Sequence, residues 1–299
     1  MIIVFGSTNL DQVGTVPRLP RPGETVAGGR FTTAAGGKGA NQALAARRAG
    51  RPVAHVGAVG ADAFADAALA LLKADGVDVS GVAITTEPTG IAMILVDDAG
   101  ENVIAVLPGA NGTLGPDAAD RALARAATDD IVLLQQEIPQ PATARALEIA
   151  RERGITTVFN TAPFLPTTPE VAPLAAILVA NETEFALLTG CDPDHPEAAI
   201  ADWSRAHSQT VVVTRGAAGA TAAIDGGLIH VPAPKIKPVD TVGAGDTFCG
   251  YLAAGLDAGD DFETALKRAV QAASLACLAP GAQPAIPTRA AVDAATSAA

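Results

Sequence analysis

The stretch IVLLQQEIPQPATARALEIARERGITTVF, residues 131–159, holds one full unit of this chain's architecture. Ile131–Leu134 and Thr156–Phe159 are short apolar runs, and Pro141–Arg153 between them carries apolar residues at helical spacing. The runs read as strands and the amphipathic segment as a helix. Unbroken apolarity in a strand means burial on both faces. The same alternation extends outward in both directions. Ile2–Phe5, Val53–Val59, Ile177–Val179 and Val211–Thr214 read as further strands. Ala40–Arg48, Asp62–Ala74, Pro116–Ala126, Thr183–Leu188 and Glu197–His207 read as further helices. The pattern predicts an α/β fold, a mostly parallel sheet with helices on both faces.

Two regions interrupt the alternation. Residues 10–34 offer no helix and carry Pro17, Pro20, Pro22, Gly23, Gly28 and Gly29. Residues 89–107 read as a hairpin, Gly90–Val96 and Asn102–Leu107 around Asp97-Asp98-Ala99-Gly100, with turn residues where a hairpin needs them. Both regions are expected to form a small projecting sheet that serves as a lid. A second hairpin, Ala220–Ile224 and Leu228–Val231 around Asp225-Gly226-Gly227, follows the last clear strand, and the chain reads as helical from Gly245 onward. Without repeat or linker, residues 1–299 are expected to form a single domain, with lid strands from about 10–34 and 89–112.

The 20 basic and 32 acidic residues leave a formal net charge of −12. That disfavours nucleic acid and anionic membrane surfaces as partners, although backbone N–H groups can still hold an anion locally. Hydrophobic residues at 49% and charged residues at 17% suit a core-forming chain rather than a disordered one. Cys191, Cys249 and Cys277 are too few and too scattered for a disulfide framework. No CxxC or HxxxH occurs, so a built-in zinc site is not expected, and the histidines and Trp203 read as structural or surface residues. A reducing, cytoplasmic setting is the expectation. The opening MIIVFGSTNLDQVG lacks the basic segment of a secretory signal, and no run reaches the ~20 apolar residues of a membrane span.

Five segments carry candidate chemistry. Asp240-Thr241-Val242-Gly243-Ala244-Gly245-Asp246-Thr247-Phe248 is a glycine-rich turn leading into an apolar helix. The first N–H groups of a helix lack internal partners and sit at its positive end, which suits an anion. Asp246 beside that anion suits a general base toward an attacking hydroxyl; the competing reading makes it an ordinary N-cap. Gly36-Gly37-Lys38-Gly39-Ala40-Asn41-Gln42 is no Walker loop, since Thr32 stands where the first glycine belongs and Gly39 follows the lysine. Its exposed backbone, Lys38 and Asn41 suit a polyhydroxylated ligand, or else form a tight loop with a solvated lysine. Asn9 and Asp11, past the first strand, share one side of an extended segment where α/β folds bind ligands, and alone would read as a turn pair. Asn181-Glu182-Thr183-Glu184 fits a capping box; the same Glu184 could reach a hydrated Mg²⁺. Thr214-Arg215-Gly216-Ala217-Ala218-Gly219 is either a flat shelf for a nucleotide or an ordinary turn. Glu137, beyond Ile131–Leu134, is either a ligand or a solvated loop carboxylate.

In order and over nearly the whole chain, these segments resemble the ribokinase family of carbohydrate kinases. The Gly-Gly-Lys-Gly-Ala-Asn run at 36–41 and the Asp-Thr-Val-Gly-Ala-Gly-Asp-Thr-Phe run at 240–248 match both family signatures, with Asn181-Glu182-Thr183-Glu184 between them and Gly281-Ala282-Gln283-Pro284 near the end. The resemblance implies a Rossmann-like α/β domain with a β-sheet lid that often clasps a second copy, hence a homodimer. It implies ATP-dependent phosphorylation of a sugar hydroxyl, with Asp246 as base and Gly243, Ala244 and Gly245 as an anion hole. Asn9, Asp11, Gly37, Lys38, Asn41 and Glu137 match sugar-contacting positions. Asn181 and Thr214, Arg215, Gly216, Ala217, Ala218 and Gly219, together with Gly245, match nucleotide positions, and Glu184 matches the Mg²⁺-associated glutamate. For K⁺, an activator of many such kinases, the matching ligands are Asp240 and the carbonyls of Val242, Ala276, Ala279 and Gly281. Two departures stand out. Ala285 replaces a serine frequent after Gly-Ala-Gln-Pro, and Ala269–Ser274 lacks the Asn or His often near adenine.

Ribose, phosphorylated at its 5-hydroxyl, is the expected substrate. The side chains of Asn9, Asp11 and Gly36–Asn41 would hold vicinal hydroxyls. Fructose, 2-keto-3-deoxygluconate, adenosine and pseudouridine remain alternatives; a nucleoside is disfavoured because the lid segments offer only Phe31 to stack a base. A non-catalytic sugar- or nucleotide-binding protein on the same fold is opposed by the intact Asp246, Gly243 and Gly245. A dinucleotide oxidoreductase is opposed by the missing GxGxxG after Ile2–Phe5.

Overall fold

In a computed structural model describing residues 1–297, alternate residues of one strand divide the interior in two. The strand is β1 (Ile2–Phe5). Ile2 and Val4 enter one apolar core, Ile3 and Phe5 the other, as the two-residue period of a strand requires. The chain continues with β2 (Asn9–Val16), β3 (Phe31–Gly36), α1 (Lys38–Arg48), β4 (Val53–Gly60), α2 (Ala63–Ala74) and β5 (Asp78–Thr85). Then come β6 (Gly90–Asp97), β7 (Asn102–Leu107), α3 (Pro116–Leu123), β8 (Ile131–Leu134), α4 (Gln140–Glu152) and β9 (Thr156–Asn160). The short α5 (Thr168–Val171) precedes β10 (Ile177–Asn181), α6 (Glu182–Thr189), α7 (Glu197–His207) and β11 (Thr210–Thr214). Last are β12 (Ala220–Ile224), β13 (Gly227–Val231), α8 (Ala244–Asp257), α9 (Phe262–Ala276) and α10 (Arg289–Ser297).

Nine strands form the main sheet in the order β13-β12-β11-β10-β9-β8-β1-β4-β5. Pairing is parallel from β11 through β5 and antiparallel only in the β11–β12–β13 hairpin edge. The first core lies under α1, α8 and α9, the second under α3 and α4. Fully buried Phe5, Leu133, Phe159 and Leu178 each contribute roughly 1.5–3 kcal/mol. The buried His55 stays in the structural role expected: its Nε2 lies 2.8 Å from Thr8 Oγ1, and burial pushes its pKa down to about 4.

The expected second sheet is present, ordered β3-β2-β6-β7. β2 pairs antiparallel with β3 and parallel with β6, so Asn9 stands between Gly36 and Gly90. Among the elements that depart from expectation are β5 and α3. β5 carries Asp78, Ser80 and Gly81, a poor strand pattern, and forms because β4 pairs with it at the sheet edge. The helix expected over Pro116–Ala126 stops at Leu123. Among the described residues, no helix is long and apolar enough to cross a membrane.

Candidate active site

The site forms where helices α1 and α8 begin, beside the carboxyl ends of the parallel strands. Gly37 has φ +87°, a conformation that favours glycine. A Cβ on Gly39 would lie 2.6 Å from the Gly6–Ser7 backbone, so only a glycine lets α1 start against the end of β1. On α8, a Cβ on Gly250 would lie 2.5 Å from Ala45 Cβ and 2.6 Å from Gln42 O. That close helix crossing brings α1 to Asp246. Asn41 Nδ2 donates to Asp246 Oδ2, and Gln42 Nε2 to Asp246 Oδ1, both at 2.9 Å.

Asp246 is therefore not an N-cap, which corrects that competing reading. Gly243 is the cap residue, at φ +75°, and Asp246 is the third residue of α8, only 6% exposed. The N–H groups of Gly245 and Asp246 donate to no backbone acceptor among the described residues. A Cβ on Gly245 would meet nothing within 4 Å, so this end of the helix faces open space.

Two cavities meet there, sharing Thr214 and Gly245. The smaller, about 190 Å³, is polar: Lys38, Asn160, Asn181, Glu184, Asp246 and Cys249 line it. The larger, about 470 Å³, is mostly apolar, with Ala233, Ile236, Pro238, Phe248, Val270 and Ala273 in its wall.

Glu137 is no solvated loop carboxylate. Its Oε2 accepts from Ser7 Oγ at 2.7 Å and from the Lys38 backbone N–H at 2.9 Å. Asn9 is buried, its Oδ1 accepting from Asn111 Nδ2 at 2.8 Å. Burial, with Glu137 and Asp246 adding repulsion, pushes Asp11 up to about 6 despite the opposing Lys38 charge. Burial alone would lower the Lys38 ammonium, but Asp246, Glu137 and Glu184 outweigh it and hold its pKa above the ordinary lysine value. Burial, reinforced by Asp246 and Glu184, pushes the Cys249 thiol far up, leaving it unreactive.

Asn181 and Glu184 form the capping box: Glu184 N–H donates to Asn181 Oδ1 at 2.7 Å and Asn181 N–H to Glu184 Oε2 at 3.1 Å. Both side chains also border the polar cavity, so cap and site coexist. From the run 214–219, Thr214, Gly216, Ala217 and Gly219 border the larger cavity. The Arg215 side chain instead reaches Glu197 at 2.6 Å and the Asp194 carbonyl at 3.0 Å, and Ala218 is not in the wall. Asp240 joins the two loops expected to hold a cation, accepting from Val242 N–H at 3.0 Å and Gly281 N–H at 2.8 Å.

Sequence reasoning missed Ser7, Gln42, Asn111, Gln135, Asn160 and Thr161. Asn160 ends β9 and Gln135 directly follows β8. The rule that ligands gather at the carboxyl ends of parallel strands points to both. Asn111 carries no such signal, since it reaches Asn9 from more than 100 positions away.

The sequence pattern of the pfkB family of carbohydrate kinases matches residues 1–289. The ribokinase of Bacillus subtilis is 38% identical over 289 residues, 96% of each chain. Ribokinase from Thermotoga maritima has a TM-score of 0.90 at 32% identity, covering 99% of each chain. The Arabidopsis thaliana ribokinase complexed with ribose and ATP has a TM-score of 0.87 at 31% identity, covering 98% of this chain and 97% of that one. The chain belongs to the pfkB family of carbohydrate kinases. Within that family, its similarity runs to ribokinases over nearly its full length.

Proposed function

We propose that this chain transfers the γ-phosphoryl group of ATP to the 5-hydroxyl of D-ribose. The observation that carries the reading is the buried Asp246 carboxylate, oriented by two amide donors and bordering the polar cavity at the open N-terminus of α8. The hydroxyl oxygen attacks the γ-phosphorus, Asp246 takes the hydroxyl proton, and the bond to the β-phosphate oxygen breaks to release ADP. Of the expected anion hole at Gly243, Ala244 and Gly245, Gly245 offers the transferring group a backbone N–H that is free among the described residues, whereas Ala244 N–H donates to Thr241 O at 3.3 Å. Asn9, Asp11, Gly37, Lys38, Asn41 and Glu137 bind the sugar. The buried Asn41 Oδ1 has no protein partner, which leaves it to accept from a sugar hydroxyl. Thr214, Gly216, Ala217 and Gly219 hold the nucleotide along the larger cavity, and Asn181 meets it from the polar one.

The Glu184 carboxylate, at the edge of the polar cavity, suits a hydrated Mg²⁺ reached through water. Among the described residues no cluster of three or more acidic, His or Cys side chains could cage a metal, so the ion would be held through water and phosphate. Bound there, it would offset phosphate charge. Asp240 and the carbonyls of Val242, Ala276, Ala279 and Gly281 suit K⁺. Those of Val242, Ala279 and Gly281 accept no backbone hydrogen bond among the described residues. Ala285 contributes no oxygen donor from its side chain.

In this reading residues 1–299 act as one domain. The small sheet is a lid that excludes water from the base. Its exposed Met93, Val103, Ile104, Val106 and Leu107 give it the apolar surface through which a second copy would form the homodimer. The test is ADP release with Mg²⁺-ATP against ribose, deoxyribose, fructose, 2-keto-3-deoxygluconate, adenosine and pseudouridine, with and without K⁺. Strong, K⁺-stimulated turnover of ribose is the expected result. Turnover of another member alone would keep the mechanism and change the substrate. Binding of ribose or ATP without any turnover would overturn the kinase reading.

A further inference from the structure

Behind the Asp246 carboxylate runs a buried chain of carboxamides that the reaction above does not use. Gln42 Nε2, donating to Asp246 Oδ1 at 2.9 Å, also lies 3.3 Å from Asn160 Oδ1. Gln135 Nε2 donates to Gln42 Oε1 at 2.7 Å. Gln42 is 0% exposed and Gln135 1%. A carboxylate accepts and never donates, so Gln42 must turn its NH₂ toward Asp246 and its carbonyl toward Gln135. The ionised end thus sets the direction of the whole chain.

Two neighbouring features are otherwise unfavourable. Gln135 Oε1 is buried with no partner, a poor state for an acceptor. A Cβ on Gly6, just after β1, would fall 2.0 Å from that same oxygen, so a side chain there would displace the carboxamide. A packing role alone would be met better by an apolar side chain at both glutamine positions.

We propose that Gln42, held by Gln135, is a positioning residue for phosphoryl transfer. It fixes the plane of the Asp246 carboxylate where it borders the polar cavity. The inference rests on the reading of Asp246 as the base. The titratable groups around that carboxylate are Lys38 from α1, Asp11 from β2, Glu137 after β8, Glu184 from α6 and Cys249 on α8 itself. Several of these are carboxylates, so a neutral amide can hold Asp246 in place without adding another charge to the site.

The test compares Gln42→Met, Gln135→Met and Asp246→Asn with the unchanged enzyme. Each is measured for kcat at saturating ribose and ATP, and for ribose binding by calorimetry. Gln42→Met removes the donor but keeps a long, unbranched side chain. It should lower kcat about 10- to 100-fold and leave ribose affinity within about threefold. Gln135→Met should give the same changes in smaller measure, and it decides the matter if Gln42→Met does not fold. A loss of ribose affinity as large as the loss of kcat overturns the proposal, because a general disturbance of packing would explain both. Wild-type behaviour in both glutamine variants beside an inactive Asp246→Asn overturns the positioning role and leaves the base standing. An active Asp246→Asn overturns the base itself.

Discussion

The two cavities that meet at Gly245 are built on opposite principles. The polar one gathers charged and amide side chains from α1, β9, β10, α6 and α8, and those of Asn160, Asn181, Glu184 and Asp246 have placed hydrogen-bond partners. The apolar one is larger and walled by Ala, Pro, Val, Ile and Phe, with backbone exposed at Gly216, Gly219 and Gly245. One recognises by hydrogen-bond geometry and the other by shape. Substitutions should therefore have sharp, residue-specific effects in the first and graded, volume-dependent effects in the second.

Asp246→Asn would test the polar side of that contrast most severely. It keeps the shape and loses the proton acceptor, so turnover should fall about 10³-fold or more, with ribose affinity changed only a few-fold. Rapid-quench turnover beside calorimetric ribose binding reads both. A parallel loss of affinity and rate would show that the carboxylate holds the sugar rather than activates it. Lys38→Ala comes next. The ammonium borders the polar cavity under three carboxylates, and its removal should raise the ribose KM about 10- to 100-fold. An unchanged KM would remove Lys38 from the sugar site.

The apolar cavity should respond in its own way. Ala273→Leu puts a branched side chain into the wall and should raise the ATP KM about tenfold while leaving ribose binding alone. If ribose binding suffers equally, the two cavities are not separable. Smaller still should be the effect of changing the nucleobase. The Ser274 hydroxyl donates to Val270 O within its own helix, so it is already engaged. GTP should therefore replace ATP with kcat/KM within about tenfold, whereas a wall that reads base edges would reject it far more strongly.

The same contrast explains what could be read from the sequence. The strands of the main sheet were legible because burial on both faces forces unbroken apolar runs, and β1 and β8 match their expected limits. The edge strand β5 was not, since exposed residues such as Ser80 and Gly81 carry no such mark. Asp246, Lys38 and Asn41 announced themselves because glycines surround them for backbone reasons that spacing reveals. Gln42 stood in the same motif and went unread, because its role depends on the helix crossing at Gly250 that joins residues more than 200 positions apart. The apolar wall was least legible. Ala233 or Val270 in a cavity looks in sequence like any core residue.

Asp11 gives the finest test, because there the polar site works against the fold. Its carboxyl titrates at about 6 in the folded protein against 3.8 ordinarily, through burial and the nearby Glu137 and Asp246. Between those values the folded chain binds a proton that the unfolded chain has released. The contribution of Asp11 to stability is therefore full below about pH 4 and is lost as pH rises through about 6. At neutral pH the native state holds a carboxylate that the unfolded chain would hold more easily in water. Asp11→Asn removes that penalty, so its melting temperature at neutral pH should rise by about 2–4 °C and should match the parent near pH 4. Ribose binding should weaken in the same variant, because an amide in place of the carboxylate loses a charged acceptor for sugar hydroxyls. Differential scanning calorimetry at the two pH values, with ribose titrated separately, measures both. A variant that melts lower at neutral pH would mean that the Asp11 carboxylate is already well satisfied in the sugar-free fold. Stabilisation without loss of ribose affinity would mean that the small sheet places Asp11 near the site without using it.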